Sequence, residues 1–250
     1  MSGHSKWATI KHKKGALDAK RGAIFTKLIK ELTVAAKNGG GNPDSNPRLR
    51  TILQKAREAN MPADNIDRAI KKGTGELPGV VYEEIAYEGY GPSGVAILVE
   101  VLSDNKNRTT AEIRSIFDKR GGNMSGAGSV AWQFVKKGFL VVKKSAIDEE
   151  KLMGLALDAG ASDFVTTDDT YEISTEPNDF EKVKKAVTDA RVATETAEVT
   201  KIAANNVKIT DVNTAKSIMT LMDNLEEHED VQNVYANFDI PDAILQELAK

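Results

Sequence analysis

The residues best suited to chemistry stand at the start of the chain, where His4, Lys6, Trp7, Lys11, His12, Lys13 and Lys14 fall within eleven positions and no acid occurs before Asp18. Lysines neutralise phosphates and release condensed counterions, which gives salt-dependent affinity for a polyanion. An indole or imidazole can stack on an unpaired base, a contact worth ~1–3 kcal/mol. The segment is too polar to bury itself, which predicts a basic arm over residues 1–20 that orders on its partner. A solubilising tail is the competing reading, but such a tail has no use for an indole. Nucleic-acid contact is therefore expected here.

Two more basic groups extend the pattern. At about 100° per residue, Lys20, Lys27, Lys30 and Lys37 fall opposite the apolar stripe of the first helix, with Glu31 the one acid among them. They predict a basic ridge, or else a plain solvated face. Arg21 falls near the middle of the stripe, so either the helix begins after it or Arg21 makes a specific contact. All five Lys/Arg of residues 76–135 lie between Lys106 and Arg120. Within that group, Lys106, Asn107, Arg108 and Thr109 form a strand-to-helix loop, with Asn107 or Thr109 placed to cap the helix. Helix N-terminal amides beside Arg108 would make a phosphate cradle. An ordinary capped loop is the alternative. The Gly-rich run Gly121 to Ser129 follows a helix and precedes a strand, the reverse of the nucleotide-loop order, and lacks Gly-Lys-Ser/Thr. It reads as a flexible connection or another RNA-facing loop.

Other chemistry is poorly supplied. The chain has no cysteine, which excludes a disulfide scaffold, thiol catalysis and thiolate zinc sites. Of three histidines, two lie in the arm and His228 sits in the acidic run Glu226 to Asp230. That run reads as a solvated helix end, with a metal site as the alternative. No acid–base–nucleophile group suggests itself, so no catalytic residue, metal or cofactor is assigned and a non-enzyme is expected. No run approaches the ~18 apolar residues of a membrane span, and the start lacks a signal-peptide core. A monomer in a reducing, cytoplasmic compartment with no membrane partner is the expectation.

Several elements must position these groups. The formal charge of −3 hides a split, because residues 1–75 hold 16 Lys/Arg against 6 Asp/Glu and the remainder hold 18 against 31. The basic part reads as a three-helix bundle over residues 21–75. Ile24, Phe25, Leu28, Ile29 and Leu32 stripe the first helix, Asn46-Pro47 starts the second, and Gly73 stops the third. Beyond the linker at 73–79 the apolar period becomes strand-like. Strands are predicted at Val81 to Tyr90, Val95 to Leu102 and Val130 to Val135, with a helix from Thr109 to Lys119. Residues 138–203 then read β-α-β-β-α-β, the order of a ferredoxin-like unit. A helix from Val212, a strand from Val231 to Phe238 and a short helix from Asp242 close the chain. Residues 76–136 lack a last helix and strand, and 206–250 supply them. One α+β domain interrupted by an inserted unit at 137–205 is the economical solution, with three consecutive domains as the alternative.

Some of these residues are familiar as motifs. Gly3-His4-Ser5-Lys6-Trp7, Ile10-Lys11-His12-Lys13-Lys14, Asp18-Ala19-Lys20-Arg21-Gly22 and Phe25-Thr26-Lys27-Leu28-Ile29-Lys30-Glu31 resemble the YebC family. So do Asn46-Pro47-Arg48-Leu49-Arg50, Ala59-Asn60-Met61-Pro62, Asn107-Arg108-Thr109, Gly128-Ser129-Val130-Ala131-Trp132 and Asn237-Phe238-Asp239-Ile240-Pro241. The resemblance runs end to end. It implies an α+β protein of an N-terminal three-helix domain and two ferredoxin-like α/β domains, the third inserted in the second, with a cleft floored by acids in some members. It also implies a regulator of gene expression. Family members are described as probable DNA-binding transcriptional regulators, mitochondrial relatives as translational activators of cytochrome oxidase subunit I, and bacterial ones are linked to ribosomes stalled on proline-rich stretches. The expected partner is therefore ribosomal RNA and transfer RNA on the ribosome, or, alternatively, duplex DNA bound sequence-specifically. A missing recognition-helix signature and an acidic remainder favour RNA.

Overall fold

Leucines and alanines at three- and four-residue spacing build the first domain. The computed structural model describes residues 17–248. Helix α1 (Leu17–Gly39) lies across α2 (Pro47–Glu58) and α3 (Ala63–Thr74). The helix therefore takes in residues 17–20 of the expected arm. Leu28, Leu32, Leu49, Ile52 and Leu53 bury their side chains together, each contributing about 2 kcal/mol of apolar transfer. Asn46 caps α2 through Oδ1, which accepts from the Leu49 N–H at 3.0 Å, while its Nδ2 donates to the carbonyls of Ala35 and Gly40. One side chain thus ends α1 and starts α2. Gly73 lets α3 touch α1, since a Cβ there would lie 2.3 Å from the Thr33 carbonyl.

The second domain is a four-stranded antiparallel sheet in the order β3-β1-β2-β9. Its parts are β1 (Glu83–Tyr90), β2 (Ala96–Ser103), α4 (Lys106–Lys119), β3 (Asn123–Ser125) and, beyond the third domain, α7 (Val212–Glu227) and β9 (Val231–Ala236). β2 is buried on both faces. Ile97, Val99 and Val101 meet α4 and α7 through Phe117, Ile218 and Leu221, and Ala96 and Leu98 meet Val130, Phe134 and Tyr235. A parallel pair, β8 (Val207–Lys208) with β10 (Phe238–Asp239), and α8 (Asp242–Leu248) complete this part.

The third strand differs from expectation. No strand runs from Val130 to Val135. Instead part of the Gly-rich run forms β3 and 131–133 is a 3-10 turn. Glycines explain it: a Cβ on Gly89 would lie 2.6 Å from the Asn123 carbonyl, and one on Gly122 2.6 Å from that of Tyr90. Only bare backbone can approach so closely, so this part of the run is held against β1.

The third domain has β4 (Phe134–Lys143), α5 (Glu149–Asp158), β5 (Ala161–Thr166), β6 (Thr170–Thr175), α6 (Phe180–Asp189) and β7 (Thr194–Ala203). Its sheet is antiparallel in the order β5-β6-β4-β7, the ferredoxin-like arrangement that the apolar pattern predicts. Leu140, Val142, Leu152, Ile173, Val183 and Val187 form its core. The chain enters and leaves side by side, with the Ala204 N–H donating to the Gln133 carbonyl at 2.8 Å.

Candidate nucleic-acid interface

His4, Lys6, Trp7, Lys11, His12, Lys13 and Lys14 lie outside the described residues, as do the side chains of Lys20 and Arg21. Lys27 and Lys30 are placed, and they correct the expected ridge. Lys27 Nζ donates to the Glu226 carbonyl at 2.7 Å. Lys30 Nζ donates to the Glu229 carbonyl at 3.1 Å and to Asp230 Oδ1 at 2.5 Å, and its side chain is only 9% exposed. Both lysines point at the C-terminal end of α7, where carbonyls beyond the reach of intrahelical N–H groups present negative potential. Around Lys27 and Lys30 this side of α1 therefore faces the second domain, while Lys37 at the helix end is exposed as expected.

Asp230 is the centre of that contact, and its side chain is fully buried. Arg108 donates to its Oδ2 at 2.8 Å and Thr109 at 2.6 Å. Burial acts to raise the carboxyl, but the Lys30, Thr109 and Arg108 hydrogen bonds outweigh it and hold it at about 2. Arg108 also bonds Asp104 at 2.9 Å, so its guanidinium, still 37% exposed, is engaged by two carboxylates of its own domain and is not an unpaired phosphate cradle. Asn105, not Asn107 or Thr109, caps α4, accepting from the Arg108 N–H at 3.1 Å. Lys106 and Asn107 remain exposed at the first turn.

His228 stands beside this cluster, 2.9 Å from Glu112. Its Nδ1 accepts the Asp230 N–H at 3.1 Å, which places the ring proton on Nε2, facing Glu112. Glu112, His228 and Asp230 lie close enough to share a cation, yet Asp230 already serves two cationic side chains and a hydroxyl. A dication would have to displace Lys30 and Arg108. The residues do not fit a metal centre.

The outward cations lie elsewhere. Lys55 and Arg57 on α2 and Arg68 and Lys72 on α3 are exposed, so the basic surface of the helical domain is on these helices. Between this domain and the sheet runs a cleft of about 240 Å³, lined by Glu31, Glu84, Glu100, Arg48, Gln232 and Asn233. Burial raises the Glu31 carboxyl against the pull of Lys55 and Arg48. Burial acts the same way on Glu100, but Lys201, Asn233 and Tyr235 bind its carboxylate and hold it below the ordinary range. The cleft is acidic and does not suit a phosphate.

Two residues of the Gly-rich region carry more than the sequence reading assigned them. Glu88 is buried on β1, and its carboxylate accepts the N–H groups of Gly128 at 2.7 Å, Val130 at 2.6 Å and Ala131 at 2.7 Å. Burial works to raise it, and these amides bring it below the ordinary carboxylate value. Trp132 follows, with 69% of its surface exposed. A sequence signal for this region exists. From Lys119 to Ile147 there is no acid, while Lys119, Arg120, Lys136, Lys137, Lys143 and Lys144 fall inside it.

Comparison with known proteins decides the family. Residues 5–76 match the TACO1/YebC protein N-terminal domain, and residues 82–238 match the TACO1/YebC second and third domain. The chain belongs to the TACO1/YebC family. It is 56% identical over 250 residues to a "probable transcriptional regulatory protein" of Dictyoglomus turgidum, covering 100% of both chains. A Geobacter sulfurreducens protein given the same description is 57% identical over 248 residues, covering 99% of this chain and 100% of that one. The crystal structure of a conserved hypothetical protein from Aquifex aeolicus superposes with a TM-score of 0.80 at 46% identity, covering 93% of this chain and 96% of that one. The join between the two TACO1/YebC matches falls in the segment between α3 and β1. Among the described residues, no helix is long and apolar enough to cross a membrane.

Proposed function

We propose that this TACO1/YebC chain is a nucleic-acid-binding regulator of gene expression that works on the ribosome, contacting ribosomal RNA and transfer RNA to relieve stalling, for example at proline-rich stretches. One observation carries the reading. The contact between domains consumes Lys27 and Lys30, and Arg108 is bound to the same Asp230, yet the helical domain still turns Lys55, Arg57, Arg68 and Lys72 to solvent. These add to the charge of residues 1–14, which carry four lysines, Trp7 and no acid. The acidic cleft repels phosphate and confines a polyanion to those surfaces. Irregular, partly single-stranded RNA suits such an arm better than a duplex groove does. Positioning, not bond chemistry, would be the mechanism: phosphate contacts dock the protein and the arm reaches toward the peptidyl-transferase region.

The relatives' description as transcriptional regulators favours a second reading, sequence-specific binding of duplex DNA. Sedimentation of cell extract through sucrose gradients at low and high salt separates the two. The wild type is expected to travel with ribosomal particles at low salt and to leave them at high salt, with deletion of residues 1–14 releasing it earlier. A protein that never sediments with them, yet shifts one promoter duplex at nanomolar concentration, would establish the DNA reading instead.

A further inference from the structure

Trp132 is the most exposed large hydrophobic side chain among the described residues, at 69%, and it is held in place. Its Nε1–H donates to the Ser129 carbonyl at 3.2 Å, and the Tyr90 hydroxyl donates to the same oxygen at 3.1 Å. Glu88 fixes the backbone on one side through Gly128, Val130 and Ala131. On the other side Gln133 accepts from Ala204 through its carbonyl and from Asn237 through Oε1 at 3.1 Å. An indole pinned from both directions loses little further freedom when something covers it.

We propose that Trp132 is a stacking platform for one unpaired base of a single-stranded nucleic acid, with Lys136 contacting a neighbouring phosphate. The inference rests on the nucleic-acid reading above and adds to it a second contact, at the junction of the second and third domains. Charge supports this occupant. The 119–147 stretch carries six cations and no acid, within a part of the chain (residues 76–250) whose acids outnumber its bases by 31 to 18. Lys137 and Lys143 pair with Glu176 and Glu195. Lys136 is exposed at the start of β4 and, among the described residues, makes no ion pair. A protein partner would call for a broad apolar surface around the indole. Here the exposed neighbours in sequence are Gly126, Ala127, Gly128 and Lys136, with Val135 the one exposed large apolar residue. Ring faces accept any base, so the platform would be tolerant of sequence.

Substituting Trp7→Phe leaves Trp132 as the single indole of the full chain. Titrating that protein with a short oligoadenylate RNA is expected to quench its emission. Measured with end-labelled RNA in the same background, Trp132→Ala should weaken affinity about tenfold with an unchanged salt slope, and Trp132→Phe should restore most of it. RNA binding without quenching, and with unchanged affinity in Trp132→Ala, overturns the platform while the nucleic-acid reading stands. If the wild type binds neither this RNA nor ribosomal particles, both fall. If Trp132→Ala keeps its RNA affinity but leaves the particles, the indole meets a ribosomal protein and stacking is overturned.

Discussion

Asp230 and Glu88 are both carboxylates taken out of water, and they are satisfied by opposite means. Asp230 draws on side chains, Lys30 from the helical domain and Arg108 and Thr109 from α4. Glu88 draws on backbone amides of Gly128, Val130 and Ala131. The first consumes cations that would otherwise face a polyanion and in return docks one domain on another. The second consumes no cation and stiffens the loop that presents Trp132. A count of lysines and arginines along the chain therefore overstates the binding capacity of α1 and Arg108, and understates that of the Gly-rich region.

The comparison breaks most sharply at Asp230. Asp230→Asn leaves Lys30 buried without a counter-charge and should cost roughly 3–5 kcal/mol. Urea unfolding would read the loss, and solution scattering should show the helical domain swinging away. Unchanged stability would mean that Lys30 finds water and the contact is superficial.

Acid tests the same group next. Its carboxyl lies at about 2 in the folded protein against an ordinary 3.8, so the folded state holds fewer protons than the unfolded one between those values. Its contribution, about 2 kcal/mol, is complete above pH 4 and is lost as pH falls toward 2. The difference between wild-type and Asp230→Asn stability should shrink over that window and stay constant above it.

Glu88→Gln keeps the shape but replaces one acceptor oxygen by a donor that faces a backbone N–H. A loss of roughly 1–2 kcal/mol is expected, with a fall in Trp132 fluorescence anisotropy as the loop loosens. An unchanged anisotropy would show that Ser129, Tyr90 and Gln133 hold the indole without Glu88.

Local patterns were readable and distant pairings were not. The apolar stripe of α1, the Asn46 cap and the β-α-β-β-α-β order all follow from spacings within a few residues. Lys30 looks like a solvated position on that stripe's far side because its partner is 200 residues away. Asp230 itself hides in an acidic run that reads as a solvated helix end, and burial by another domain leaves no periodic trace. β3 escapes a pattern search because it is three residues long and flanked by glycine. Trp132 was visible only as part of a motif; the acid-free stretch around it is a compositional signal that a local reading of turns passes over.

The most direct test of this division of charge is the salt dependence of binding to a ribosomal RNA fragment, measured for four forms of the full protein. Deleting residues 1–14 should lower the slope of log K against log salt by about three to four, the share of its four lysines, and Lys136→Ala by about one. Arg108→Ala should leave the slope unchanged while lowering the urea midpoint. A slope that drops by one in Arg108→Ala, with the urea midpoint unmoved, would contradict the account, because Arg108 would then serve the nucleic acid and not Asp230.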